Sequence, residues 1–242
     1  MDTDLRSVLG ERAAYGVWST LRDPVGVALL AADGLDYVVF DLQHGSADEA
    51  DLPALTTAAR VEGLVPMARV RAPEPTFVSR ALDLGAHGVV VPHVDSAAVA
   101  TRVVDACRSA PAGHRSFGRV TGGADEPLCV VMIESATGVA AVSEIVAVDG
   151  VDAVYVGPWD LALTLGCRPD MADPVLSRAV EAVWSACAAA GRPVGTHALD
   201  GRTAAAYAAA GCRLVTVGTD AAWLRAAAHA NAAAAGVVRP RG

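Results

Sequence analysis

The chain has 242 residues and a formal net charge of −8, and all 19 of its basic residues are arginine. An acidic balance without a basic run excludes the electrostatic footprint of a nucleic-acid or anionic-membrane binder. The lack of lysine excludes a lysine Schiff base, a lysine general base and a P-loop lysine. Carbonyl chemistry here needs another electron sink, and a Lewis-acidic metal ion is the obvious one.

A chain this long holds a core without disulfides and suits one α/β domain over 1–242. Its five cysteines (Cys107, Cys129, Cys167, Cys187, Cys212) are odd in number and lack C-x-x-C spacing, so they read as reduced, packed thiols. The run MDTDLRSVLGER carries charges where a signal peptide needs an apolar core, and no uncharged stretch is long enough to span a membrane. The expectation is a soluble, cytoplasmic protein.

In chain order, strand-like runs fall at Tyr15–Ser19, Tyr37–Asp41, Val65–Val70 and Gly88–Val94. They continue at Leu128–Ile133, Ala153–Val156, Pro193–Thr196 and Leu214–Val217. Helical periodicity lies between them. It is clearest over Pro174–Ala190, with Asp173 as cap and Pro174 at the first helical position, and over Glu74–Leu84, stopped by Gly85. Eight such units predict a (β/α)8 TIM barrel. The alternative, a doubly wound sheet, lacks the G-x-G-x-x-G turn of its dinucleotide-binding form.

Two connections are long, Arg108–Pro127 (with His114, Arg115 and Arg119) and Asp160–Asp173. Loops of that size are more often functional than idle.

Barrel active sites are built at the C-terminal ends of the strands. The polar residues expected there are Asp41, Gln43 and His44; Arg69 and Arg71; His93; Glu134 and Ser135; Trp159 and Asp160; His197; and Asp220. Two segments stand out, LCVVMIES and VYVGPWDLALTLG, each an apolar run delivering one carboxylate, Glu134 or Asp160. An acid at the tip of a buried strand is costly unless solvated, paired or bound to metal, and two of them suggest a divalent cation. Each residue also has a plainer reading. Glu134 can be a helix-start acid, Asp160 an N-cap, His44 a structural histidine, and Arg69 a scaffold partner of Asp41. Asp83 ends a helix, where an acid opposes the macrodipole and needs a partner.

In order along the chain, FDLQHG, VPMARV, VVVPHV, PAGHRSFG, VVMIES and VGPWDLALTLG resemble the HpcH/HpaI aldolase family, the metal-dependent pyruvate aldolases related to the citrate lyase β subunit. The resemblance runs from about Ala14 to Gly236. It implies reversible cleavage of a 4-hydroxy-2-oxo acid to pyruvate or hydroxypyruvate and an aldehyde. Carried over residue by residue, Glu134 and Asp160 bind Mg2+ or Mn2+, with Co2+ possible. Arg69 faces the keto oxygen, His44 is the general base, and Asp83 hydrogen-bonds to His44. The backbone N–H groups at Trp159 and Asp160 receive the substrate carboxylate.

The resemblance also implies a homohexamer, with the apolar segment 221–236 swapped onto a neighbour. Three departures from the family pattern are Gln43 in place of a common Glu, Met132 where a glutamine often holds substrate, and the large Trp159. Two rivals stay open: a CoA-thioester lyase of the same superfamily, which needs a basic groove, and a barrel that binds a 2-oxo acid without chemistry.

Overall fold

A computed structural model describes residues 4–31, 34–118 and 123–237. The chain begins with α1 (Leu5–Glu11), β1 (Ala14–Ser19), α2 (Pro24–Leu30) and β2 (Tyr37–Asp41). Next come α3 (Leu52–Val61), β3 (Val65–Arg69), α4 (Pro75–Asp83), β4 (Gly88–Val91) and α5 (Ala97–Cys107). After the long connection lie β5 (Leu128–Ile133), α6 (Ala136–Ala140), α7 (Val142–Val146) and β6 (Ala153–Val156). The last third holds α8 (Pro158–Leu165), α9 (Pro174–Ala189), β7 (Val194–His197), α10 (Gly201–Ala209), β8 (Leu214–Thr219) and α11 (Asp220–Ala234). All neighbouring strands are parallel, and β8 closes on β1.

The predicted strands form within a residue or two of their expected bounds, except that β4 stops at Val91 rather than running to Val94. Pro92 has no N–H to give the ladder, and His93 takes a left-handed φ of 55°. Asp173 caps α9 as its sequence predicts, accepting from Val175 N–H at 3.0 Å.

Strand periodicity sorts side chains into two layers. Val38, Phe40, Ala68, Val89, Val131 and Ile133 pack outward against the helices. Tyr37, Val39, Val65, Met67, Val90, Val130, Met132 and Tyr155 point into the barrel, which is a packed core. Glycines make room for the largest of these. A Cβ on Gly195 would sit 2.8 Å from the Tyr155 ring. The inward phase, continued toward the C-terminal mouth, brings up Asp41 after Val39, Arg69 after Met67, Glu134 after Met132 and His197 after Gly195. The same alternation that fills the core therefore aims these polar groups at one point.

The opposite mouth is plugged by Leu5 and Leu9 of α1 and tied by ion pairs. Asp152 accepts from Arg6 Nε at 3.1 Å, Arg108 Nη2 at 3.3 Å and the Cys129 N–H at 2.8 Å. This is the face where barrels place stability rather than chemistry. Among the described residues, no helix is long and apolar enough to cross a membrane.

Candidate active site

Asp41 and Arg69 are direct register partners on β2 and β3. Arg69 Nε donates to Asp41 Oδ1 at 2.9 Å, and its Nη2 donates to Oδ2. Asp41 also accepts from the Trp18 indole at 3.2 Å and from the Gln43 and His44 N–H groups at 3.0 Å each. Burial pushes the Asp41 carboxyl up, but Arg69 and these donors outweigh it and hold it below the usual carboxylate range. The arginine is thus fixed along one edge, lies 5.1 Å from the Trp18 ring centroid, and keeps its Nη1 donors without an acceptor among the described residues.

Glu134 is buried just beyond the tip of β5. Its Oε1 accepts the His93 N–H at 2.8 Å and lies 3.2 Å from His93 Nδ1. Burial raises its pKa, His93 lowers it, and the like charge of Asp160 raises it again, with a net upward shift. Gly157 leaves space for this carboxylate, since a Cβ there would stand 2.8 Å from Glu134 Oε2. Asp160 sits in the first turn of α8 and has no side-chain partner among the described residues. Gly157, not Asp160, is the N-cap residue of that helix. Its first ladder bond is Leu161 N–H to Gly157 C=O, 3.0 Å, so the Trp159 and Asp160 N–H groups lie ahead of the ladder, free for an anion.

Two carboxylates, one deeply buried and both without an arginine of their own, form a donor set that fits a hard divalent cation. Among the described residues no third His, Cys, Asp or Glu joins them as a metal ligand. Glu134 and Asp160 are the residues that would hold such an ion, and its remaining positions would be left to water and substrate oxygens.

His44, Arg69, Met132, Glu134, Trp159 and Asp160 all line one cavity of about 270 Å3 at the C-terminal mouth, with Trp18, Tyr155 and His197. His197 packs edge-on to Trp18 and Trp159, at centroid distances of 6.2 and 5.8 Å. Burial, with Arg69 nearby, drives its pKa down to about 4, so it is neutral at physiological pH. His44 is exposed, and its ring is unpartnered among the described residues. Asp220 lies beside the site but is spent on structure. It accepts from the Ser19 and Thr20 hydroxyls, both at 2.8 Å, and from the Thr20 and Leu21 N–H groups.

A larger cavity, about 660 Å3, opens at the opposite mouth beside Arg6 and His87, away from all of these groups.

Residues 14–227 match the HpcH/HpaI aldolase/citrate lyase family. The chain belongs to this family. Among relatives, the hydroxypyruvate/pyruvate aldolase of Roseovarius nubinhibens is 33% identical over 85% of each chain. The 5-keto-4-deoxy-D-glucarate aldolase of Shigella dysenteriae is 30% identical over 88% of this chain and 89% of its own. A solved HpcH/HpaI aldolase/citrate lyase family protein from Burkholderia cenocepacia superposes with a TM-score of 0.85 at 32% identity, over 94% of this chain and 96% of its own. An aldolase of this family is therefore what the barrel carries.

One expected contact is not formed. Asp83 does not meet His44 within this chain. It closes α4 at the N-terminal mouth, because each helix runs antiparallel to the strands, and there it accepts from Arg115 Nη2 at 2.8 Å. The partner that its place at a helix end demands is this buried arginine. His114, in the same connection, pairs with Asp105 at 2.7 Å, and Arg119 lies outside the described residues.

The residue that strand-end reasoning undervalued is His93. A histidine following a proline at a strand tip was the available signal, but its grip on Glu134 depends on a turn that no local pattern encodes. Gln43 belongs with it. Its Nε2 is 3.4 Å from His93 Nε2, and its Oε1 is buried without a partner among the described residues.

Proposed function

We propose that this aldolase cleaves 4-hydroxy-2-oxo acids reversibly to pyruvate or hydroxypyruvate and an aldehyde. The observation that carries the reading is the convergence of Glu134, Asp160, Arg69 and His44 on one small cavity in a chain without lysine. Glu134 and Asp160 would hold the divalent cation, Mg2+ or Mn2+. When bound, the cation supplies Lewis acidity to the 2-oxo group. His44 takes the proton of the C4 hydroxyl. The C3–C4 bond then breaks, C4 leaves as the aldehyde, and the electron pair passes to the keto oxygen as an enolate. Arg69, pre-oriented by Asp41, stabilises the charge that develops on that oxygen. The Trp159 and Asp160 N–H groups hold the substrate carboxylate at the start of α8. The proton held by His44 passes to C3 and completes pyruvate, and the reverse sequence makes the carbon–carbon bond. His197, neutral and wedged between two indoles, shapes the wall.

The thioester reading has little to support it. Arg115, one of the two arginines available for a basic groove, is buried against Asp83 at the far mouth.

Beyond its buried first residue, α11 is exposed along nearly all its length, with Trp223 and Leu224 on it. A mostly alanine helix left bare gains little from its own propensity. It reads as the arm that docks on another copy, which supports a homo-oligomer such as a hexamer. A solution mass equal to the 24.6 kDa chain would count against this. The five cysteines are all free, which supports a reducing, cytoplasmic setting.

The test needs no knowledge of the aldehyde. Metal-stripped protein with pyruvate in D2O should exchange the methyl protons only after Mg2+ or Mn2+ is added, and His44→Ala should abolish the exchange. Absence of exchange with every metal would overturn the reading.

A further inference from the structure

A second cavity of about 380 Å3 lies directly behind one wall of the active-site cavity. The two cavities share Pro158, Trp159 and His197 and are divided by the edge-to-face pair of Trp159 and His197. The far cavity is lined by the apolar surfaces of Met171, Leu176, Leu199 and Tyr207, and its charged lining residues are Asp170 and Asp200. Neither cavity has an arginine lining it apart from Arg69, whose Nε and Nη2 are held by Asp41 and whose Nη1 is taken by the keto oxygen in the reading above. The carboxylate of the 2-oxo acid has its place at the α8 N–H groups, so the reacting aldehyde must lie against the remaining walls. Of those, the Asp41–Arg69 and Glu134–His93 walls are polar and fixed by hydrogen bonds, whereas the Trp159–His197 wall is aromatic and has open space behind it.

We propose that Trp159 is the specificity-determining wall for the acceptor. It limits the aldehyde to a short, uncharged molecule and closes off an apolar cavity that a longer tail would otherwise enter. This rests on the aldolase reading above. An acceptor carrying its own carboxylate finds no arginine to pair with beyond Arg69, and the only charged groups behind the indole among the described residues are Asp170 and Asp200. Apolar tails beyond two or three carbons meet the indole. Removing the indole joins the two cavities, and each methylene then buried contributes about fourfold in affinity.

The experiment uses the full-length, Mn2+-loaded protein, with pyruvate exchange in D2O measured first and aldol addition of pyruvate to a set of aldehydes second. In each variant the quantity read is the ratio of kcat/KM for hexanal to that for acetaldehyde. This ratio cancels any loss of folded protein or of pyruvate binding. Trp159→Ala should raise the ratio at least tenfold. The double variant Trp159→Ala/Leu199→Trp, which refills the far cavity, should return it to within about threefold of the wild type. Wild-type protein should also prefer butanal to 4-oxobutanoate by at least tenfold. Exchange with an unchanged ratio overturns the role of Trp159 and leaves the aldolase reading standing. A preference for 4-oxobutanoate overturns the uncharged-acceptor assignment. A wild type without exchange overturns the aldolase reading, and this proposal with it.

Discussion

The peptide N–H of His93 and its ring Nδ1 both approach the same oxygen of Glu134, at 2.8 and 3.2 Å. Such a two-point grip requires the chain to turn back on itself just after β4, and His93 does so with φ 55°, the one non-glycine residue with positive φ among the described residues. Left-handed backbone at a non-glycine residue is a local cost that persists where surrounding structure or function demands it. Here it orients a carboxylate that burial would otherwise leave poorly held.

Two substitutions at His93 separate ring from backbone. His93→Gly keeps the turn and loses the ring, so Mn2+ affinity measured by calorimetry should fall roughly tenfold, as for other groups that orient metal ligands. His93→Ala loses the ring and keeps the strain. It should be less stable than the glycine variant by about 1 kcal/mol in denaturant unfolding. Equal Mn2+ affinity in wild type and His93→Gly would remove the ring from the site.

Glu134 is more costly to the metal-free protein than a neutral residue of the same shape. Its folded pKa is raised, so the folded state favours the protonated acid, and stability declines as pH rises through that value. Glu134→Gln should therefore raise the Tm of metal-free protein at pH 7 to 8 while abolishing Mn2+ binding. Asp160→Asn should also abolish binding and should raise Tm less, since Asp160 is only partly buried. A fall in Tm in the glutamine variant would contradict the charge argument.

His197 makes stability depend on acid. Its pKa falls to about 4 in the folded protein, below the ordinary value of 6.5, so between those values the unfolded chain binds a proton that the folded one refuses. Stability present above pH 6.5 is lost as the pH falls toward 4, by about 2 kcal/mol at pH 5. His197→Gln should flatten this limb of the stability–pH curve in chemical unfolding. An undiminished slope would place the acid sensitivity elsewhere.

Asp83→Asn tests the reassignment of that residue. Its side chain serves Arg115, which is nearly fully buried, so the variant should lower Tm by stranding a buried guanidinium. Pyruvate exchange should stay within about twofold of wild type. Lost exchange at unchanged Tm would instead bring Asp83 to the His44 of a neighbouring copy.

Much of this protein follows from local sequence. The strands were legible because fully buried parallel strands are unbroken β-branched runs, and helix starts because caps such as Asp173 are chemical features of two or three residues. The meeting of Glu134, Asp160, Arg69 and His44 in one cavity was legible because barrel topology puts every strand tip on one face, and the lack of lysine narrows the chemistry open to them. Only tertiary structure decided the pairings. Asp83 lies 39 residues from His44 and 32 from Arg115, and nothing in the spacing says which end of α4 faces the cavity; the antiparallel run of helix against strand does. The commitment of Arg69 to Asp41, the hold of His93 on Glu134 and the open space behind Trp159 likewise depend on contacts between segments far apart in the chain. Periodicity fixes which way a side chain points, whereas the partner it meets is set by closure of the barrel.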